Sequence, residues 1–173
     1  MDKTARKIGD DDRFNAWLNL LQAYSVVTSR IEARLDAATG LSLPEHEVLI
    51  RLSQTPEQRM RMLDLSGLLL LSKSGVTRLV DRLEKRGLVE RKMSPDDRRV
   101  VHAELTNGGS KALADASPVL AAAIKDVFSQ HLTDRDVTSL RATLRKILRA
   151  NGIWSEQLCS PTFPTEATPA VGA

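Results

Sequence analysis

Positively charged side chains are concentrated in residues 73–99 of this chain. These residues include nine lysines and arginines against five aspartates and glutamates, whereas the whole 173-residue chain has a formal charge of only +3. Lysine and arginine neutralise phosphate groups, and an arginine can also bind the edge of a guanine base with two hydrogen bonds. This concentration of charge indicates nucleic-acid binding, although a run of charges is more often a solvated surface.

The same stretch has the pattern of an amphipathic helix. Ser72 is a suitable N-cap, and Gly87 stands where a helix would end. One apolar stripe is predicted by residues that recur at steps of three and four: Val76, Leu79, Val80 and Leu83. The remaining faces of the helix are polar and mostly basic.

A second helix and a β-hairpin flank this segment. The apolar residues 62–70 predict a preceding helix, and residues 88–91 and 100–105 predict two short strands around a charged turn. Two helices followed by a hairpin make a winged helix-turn-helix, whose second helix enters the major groove of DNA. The side chains predicted to contact DNA there are Ser72, Lys73, Ser74, Gly75, Thr77, Arg78 and Arg82.

Three of these residues have specific expected roles. Arg78 is predicted to bind guanine in a bidentate manner, which is worth roughly 1–3 kcal/mol of discrimination. The alternative is that Arg78 pairs with Asp81 or Asp97 and touches no base. Gly75 would allow the backbone to approach the duplex, and Thr77 offers a hydroxyl and a methyl group for a phosphate or a thymine.

Residues 72–106 resemble the core signature of the MarR family of bacterial transcription regulators. The matching parts, in order, are Val-Thr-Arg-Leu-Val-Asp-Arg-Leu-Glu, Gly-Leu-Val-Glu-Arg, Asp-Asp-Arg-Arg at the hairpin turn, and a closing Leu-Thr. Four motifs at family spacing are more specific than a helix-turn-helix pattern alone. A less precise likeness extends from about residue 14 to residue 150.

The resemblance implies roles for the hairpin turn, or wing. The family pattern there is an aspartate, any residue, and an arginine that enters the minor groove, and Asp97, Arg98 and Arg99 match it. Asp97 is expected to orient the Arg99 guanidinium through a bidentate pair. The alternative is a hairpin tip that its charges merely keep soluble.

The resemblance also implies an oligomer and a mode of action. Family members dimerise through their first and last helices, so we expect a homodimer that reads a pseudo-palindromic operator on double-stranded DNA. We expect a repressor that is released when a ligand changes the distance between the recognition helices. A heptad-like seam from Phe14 to Ala38 fits such an interface, although packing within one subunit would produce the same seam.

The expected fold is mainly α-helical with a small β-hairpin wing: a winged helix-turn-helix DNA-binding lobe joined to a helical dimerisation lobe. Gly67 and the apolar residues 68–71 make the end of the first motif helix ambiguous. Ser117-Pro118 should kink or split the long helix that follows the wing. The predicted segments are a disordered N-terminus (1–9), a dimerisation helix (10–42), the winged helix-turn-helix (43–106), further dimerisation helices (107–151) and a disordered tail (152–173).

A small aromatic or phenolic anion is the effector that the resemblance implies. A urate-responsive branch of the family uses a tryptophan, an acidic residue and an arginine, and Trp17, Glu47 and Arg78 could fill these roles. Trp17 is also readable as a core residue, and Glu47 stands where an aspartate is usual. Peroxide sensing and zinc sensing are less supported, because Cys159 lies in the tail and the three histidines are dispersed.

Other functional classes fit the sequence less well. We find no nucleophile–base constellation, glycine-rich phosphate loop or metal-ligand spacing, so neither an enzyme nor a cofactor or metal site is expected. A winged-helix module that binds proteins without specific DNA binding is the alternative. The chain has one cysteine, no apolar segment typical of a signal peptide and no long apolar run, so we expect a cytoplasmic protein with no membrane contact.

Overall fold

The computed structural model describes residues 11–69, 71–95, 97 and 99–152. The predictions for residues 1–9, for Arg98, for Cys159 and for the tail beyond Gly152 fall outside these residues. The elements in chain order are α1 (Asp12–Thr39), α2 (Leu43–Ser53), β1 (Arg59–Arg61), α3 (Met62–Leu68), α4 (Lys73–Lys85), β2 (Val89–Met93), β3 (Val101–Leu105), α5 (Asn107–Val127), a 3-10 turn (Ser129–His131) and α6 (Asp134–Ala150).

Local capping signals explain where several helices begin and end. Ser42 and Glu45 form a capping box at the start of α2, and Thr133 and Asp136 form another at the start of α6. Gly40 ends α1 with a φ of 66°, a conformation that glycine adopts without strain.

The winged helix-turn-helix is confirmed, but its sheet has three strands rather than the two predicted. β3 lies between β1 and β2 and pairs antiparallel with both of them. Arg59–Arg61 were not predicted as a strand, but they pair with β3 in a register that sets Arg59 opposite Glu104. A strand of three residues is too short to show an alternating pattern, and its partner lies more than forty residues away.

The core is aliphatic, and it joins the winged helix-turn-helix to the long helices α1 and α5. Fully buried side chains come from the end of α1, from α2, α3 and α4, and from the sheet, and they include Leu35, Leu49, Leu65, Leu83 and Val89. α5 adds its own buried face, and it packs extensively along α1. The recognition helix α4 therefore sits on a continuous apolar support.

α5 starts tight against the wing. A Cβ atom built on Gly109 would lie 2.0 Å from the Leu88 carbonyl oxygen, so only glycine allows this approach. Of the two predicted effects of Ser117-Pro118, a kink or a split, the split does not occur, because α5 is one helix from Asn107 to Val127. Pro118 is exposed, so water can reach the backbone that the ring leaves unpaired.

The heptad-like seam of α1 divides into two halves. Ile31 and Leu35 are buried in the chain's own core, whereas the large side chains of the first half are exposed: Phe14, Trp17, Leu21 and Tyr24. No residue of α6 is buried within the described chain, and its Ile147 is 47% exposed. Packing within one subunit therefore explains the second half of the seam and leaves apolar side chains of α1 and α6 uncovered.

Candidate nucleic-acid interface

α4 separates its apolar and polar side chains cleanly. The predicted stripe of Val76, Leu79, Val80 and Leu83 is buried, with no side chain more than 2% exposed. The opposite side is open to solvent and carries Lys73, Ser74, Thr77 and Arg78. The burial of the stripe fixes the rotation of the helix, so these polar residues must face outward.

Arg78 is exposed and makes no hydrogen bond or ion pair with any residue that the structure describes. The alternative that it pairs with Asp81 or Asp97 is wrong. Asp81 lies 2.6 Å from the guanidinium of Arg91, and Asp97 accepts from Arg99. No acceptor among the described residues therefore occupies the Arg78 guanidinium.

Three of the small predicted residues support the helix as well as facing outward. The Ser72 hydroxyl accepts a hydrogen bond from the Gly75 backbone N–H at 3.1 Å, which makes Ser72 the N-cap of α4. A Cβ on Gly75 would lie 3.2 Å from this hydroxyl, so the cap itself favours glycine there. Thr77 donates its hydroxyl to the Lys73 carbonyl oxygen at 2.9 Å, which leaves its methyl group as the part without an internal bond.

Arg82, which was predicted to contact DNA, binds α2 and keeps 56% of its side chain exposed. Its Nε lies 3.1 Å from Glu45 Oε1, and the Arg86 guanidinium lies 3.4 Å from Glu45 Oε2 and 2.9 Å from the Gly40 carbonyl oxygen. Burial alone would raise the pKa of Glu45, but hydrogen bonds from the Ser42 N–H and from Arg82 lower it overall, so the carboxylate is charged. This cluster ties the C-terminal half of α4 to the start of α2.

Sequence reasoning assigned no role to Arg91, which holds α4 on another side. Its guanidinium lies 2.6 Å from Asp81 and 2.7 Å from Glu84, and it also donates to the Thr77 carbonyl oxygen at 3.1 Å. The alternation of β2 could have indicated this contact, because Arg91 shares a strand face with the buried Val89. A residue two positions from a buried strand residue points toward whatever packs on that face.

Arg99, the arginine of the wing turn that the structure describes, is largely exposed. Asp97 Oδ1 accepts from the backbone N–H of Arg99 at 3.0 Å and from its Nε at 3.2 Å. The pair was expected to be bidentate, and instead one carboxylate oxygen receives both bonds. These hydrogen bonds, the backbone one first, lower the pKa of Asp97. The hydrogen bonds to Asp97 fix the backbone N–H and the Nε of Arg99. Because the side chain is 91% exposed, the rest of its guanidinium can reach a ligand.

The three residues suggested for an effector lie on three different helices. Trp17 of α1 is 53% exposed, Glu47 of α2 pairs with Arg51 at 3.2 Å, and Arg78 lies on α4. A cleft of about 360 Å³ between α1 and the end of α5 contains none of them, and its lining includes Arg30, Arg34, Asp126 and His131. The effector assignment therefore stays a prediction.

No group of three or more His, Cys, Asp or Glu side chains within the described residues could hold a metal ion. Among the helices that the structure describes, none combines the length and the apolar character that a membrane span requires.

Known proteins with similar sequences are transcriptional regulators, not enzymes. The MarR family model matches residues 41–101. The transcriptional repressor MprA of Escherichia coli is 32% identical over 111 residues, which are 64% of this chain and only 62% of the length of MprA. The regulator MhqR of Bacillus subtilis is 33% identical over 108 residues, which are 62% of this chain and 72% of MhqR.

Solved structures give the same result over more of the chain. AbsC, a MarR family transcriptional regulator from Streptomyces coelicolor, superposes with a TM-score of 0.77 and 30% identity over 82% of this chain and 95% of its own. Sco3205 from the same organism, solved in complex with DNA, has a TM-score of 0.74 and 26% identity over 82% and 91%. CouR from Rhodococcus jostii, bound to p-coumaroyl-CoA, has a TM-score of 0.66 and 28% identity over 83% and 95%. The chain belongs to the MarR family of transcriptional regulators.

Proposed function

We propose that this protein is a sequence-specific DNA-binding transcription regulator, a homodimeric repressor that a small ligand releases from its operator. The observation that carries the proposal is the exposed, outward-facing Arg78 on a helix whose apolar stripe is buried, together with the exposed Arg99 on the wing. The helix would lie in the major groove, and the wing arginine would enter the adjacent minor groove. Such a regulator would act in the cytoplasm, where the chromosome is accessible.

We assign different roles to the predicted residues according to the contacts that each of them makes. Lys73, Ser74 and Arg78 carry the polar contacts to the duplex, and the Thr77 methyl group suits a thymine methyl. Ser72 and Gly75 shape the helix start that approaches the backbone. Arg82 is held by Glu45, so we assign it to positioning the helix rather than to reading a base.

A second copy of the chain is the proposed cover for the exposed apolar side chains of α1 and α6. Trp17, Leu21 and Tyr24 are 53%, 44% and 69% exposed, and a large uncovered apolar patch is typical of a protein–protein interface. α6 is amphipathic in sequence but has no buried residue in its own chain. A two-fold dimer would bury both surfaces and place two α4 helices for successive major grooves.

Release by a small aromatic or phenolic anion is the proposed regulation. CouR, which shares 28% identity with this chain, was solved with the phenolic thioester p-coumaroyl-CoA, and this likeness supports a ligand of similar chemistry. Trp17, Glu47 and Arg78 are the residues we propose for it. A ligand that binds Arg78 would compete directly with DNA for the same guanidinium.

The proposed function is tested by two arginine substitutions. A duplex is first selected from a random-sequence pool, and its affinity is compared with that of a scrambled duplex at several salt concentrations. We expect Arg78→Ala to lose about 1–3 kcal/mol on the selected duplex and little on the scrambled one. We expect Arg99→Ala to weaken binding to both duplexes, with a smaller dependence on salt.

A matched control separates these effects from the loss of one charge. Arg135→Ala removes an exposed arginine from α6 and should leave the discrimination between the two duplexes unchanged. A wild-type protein that binds no duplex at low ionic strength would refute the proposal and favour a protein-binding winged helix. Equal losses on both duplexes for Arg78→Ala would limit Arg78 to phosphate contacts.

A further inference from the structure

Arg91 of β2 makes four short polar contacts with α4, and they run along one side of that helix. Besides the two carboxylates and the Thr77 carbonyl oxygen, its backbone N–H donates to Glu84 Oε1 at 3.1 Å. Thr77, Asp81 and Glu84 are spaced by four and three residues, so they form one row along the helix. One arginine on β2 therefore binds groups that extend along two turns of the recognition helix.

The burial of Arg91 distinguishes it from an ordinary surface ion pair. Its side chain is 24% exposed, whereas those of Asp81 and Glu84 are 43% and 39% exposed. An arginine that binds two carboxylates and a carbonyl oxygen uses the planar fork of its guanidinium, and a lysine ammonium cannot reproduce that geometry. Strand β2 and helix α4 are thus fixed to each other by directional bonds as well as by the apolar core.

The negative charges of Asp81 and Glu84 also affect how closely a DNA duplex can approach α4. Asp81 and Glu84 are the only acidic residues of α4; Asp81 lies one turn and Glu84 two turns beyond Thr77, which is proposed to approach DNA. Two uncompensated carboxylates there would repel the phosphates of the duplex. Arg91 places a positive charge within 2.7 Å of both of them.

We propose that Arg91 is a positioning residue for DNA recognition. It sets the angle between α4 and the wing, so that Arg78 and Arg99 reach one duplex together, and it screens the carboxylates of α4 from the phosphates. This inference rests on the proposed function. The two roles make different predictions, because the angle affects discrimination and the screening affects affinity for any duplex.

Three variants separate the two roles. Arg91→Met keeps most of the packing of the side chain and should lose about tenfold in affinity for scrambled DNA, and more for the selected duplex. Arg91→Lys restores the charge alone and should recover the affinity for scrambled DNA without the discrimination. Asp81→Asn combined with Glu84→Gln removes the carboxylates, so binding to scrambled DNA should become tighter while discrimination falls.

The last variant distinguishes positioning from a loss of folded protein. A destabilised protein would bind every duplex more weakly, whereas this variant is expected to bind scrambled DNA more tightly than the wild type. Asp115→Asn breaks the Lys111–Asp115 ion pair on α5 and serves as the control, with discrimination unchanged. Thermal unfolding of each variant confirms that it is folded at the assay temperature.

The outcomes are distinct. Discrimination retained by Arg91→Lys, or by the double variant, would overturn the positioning role. Affinity for scrambled DNA that is unchanged in Arg91→Met would overturn the screening role. If the wild type itself binds no duplex, the proposed function fails and this inference fails with it, whereas a discriminating wild type with equally discriminating Arg91 variants refutes the inference alone.

Discussion

His46 should make the folded protein less stable at mildly acidic pH. It lies on α2 in the core of the DNA-binding lobe, where its side chain is 2% exposed and its Nε2 has no hydrogen-bond partner among the described residues. Burial lowers the pKa of His46 from 6.5 to about 4, because the charged imidazolium cannot be solvated there. In the unfolded chain the same imidazole would take up a proton near pH 6.5.

The sign and size of the effect follow from this difference. Between pH 6.5 and pH 4 the unfolded state binds more protons than the folded state, so the free energy of unfolding falls as the pH falls. The contribution is absent above about pH 7, and at pH 5 it removes about 2 kcal/mol. The full loss, below pH 4, is about 3 kcal/mol, since each pKa unit corresponds to about 1.4 kcal/mol.

Urea unfolding of the wild type and of His46→Gln at pH 7.5 and pH 5.0 measures this difference. The wild type should lose about 2 kcal/mol more than the variant between the two conditions. The neighbouring Glu45 does not interfere with this measurement. Because its pKa is lowered in the folded protein, its contribution to the free energy of unfolding is lost only as the pH falls below the ordinary glutamate pKa of 4.5. Equal losses in the two proteins would refute the assignment of His46 as a buried, neutral side chain.

Further predictions concern two glycines and the apolar face of α1. Gly109→Ala should lower the free energy of unfolding by about 3 kcal/mol, because its Cβ would overlap the Leu88 carbonyl oxygen. Gly67→Ala is the matched control in a helix: a Cβ there meets nothing within 4 Å, so the same change should stabilise the fold by up to about 1 kcal/mol in urea unfolding. Leu21→Asp should convert a dimer into monomers in sedimentation velocity while the unfolding of the DNA-binding lobe stays cooperative, and an unaltered sedimentation coefficient would exclude the α1 face from the interface.

The recognition helix could be predicted from sequence because its signals are local. The N-cap at Ser72, the apolar stripe and the glycine at position 87 all act within one or two turns, and the structure places the helix at Lys73–Lys85 with the stripe buried. The capping box at Thr133 identified the start of α6 for the same reason. Such signals need no knowledge of the rest of the fold.

The features that were missed depend on partners that are distant in sequence. β1 exists because β3 supplies its hydrogen bonds, and three residues of RMR carry no periodic pattern of their own. The α5 helix continues through Pro118 because packing on both sides of the proline holds the helix: Leu113 and Leu120 are buried. The general rule about proline is correct, but the tertiary contacts outweigh its local cost.

The charge of residues 73–99 shows the same limit for the candidate site. Counting nine cations predicts a strongly basic surface, but several of them are bound within the fold. Arg82 and Arg86 share Glu45, Arg91 is held by two carboxylates of α4, and Lys92 lies between Glu90 and Glu104. Only the structure separates these cations from those left for a ligand.

The two sets also differ in where they lie on α4. The arginines that bind Glu45 occupy the last turns of the helix, and the row gripped by Arg91 runs along one side, so the helix is fixed on two faces. Lys73 and Arg78 lie near its N-terminus, on the part of the helix that is proposed to enter a major groove first. Three arginines, Arg82, Arg86 and Arg91, form the ion pairs that hold this helix, and its remaining cations thereby keep a fixed geometry. A surface that attracts phosphates without regard to base sequence needs positive charge, but it does not need a helix held in a fixed orientation. The ion pairs that hold α4 are therefore the physical reason to expect discrimination between duplexes.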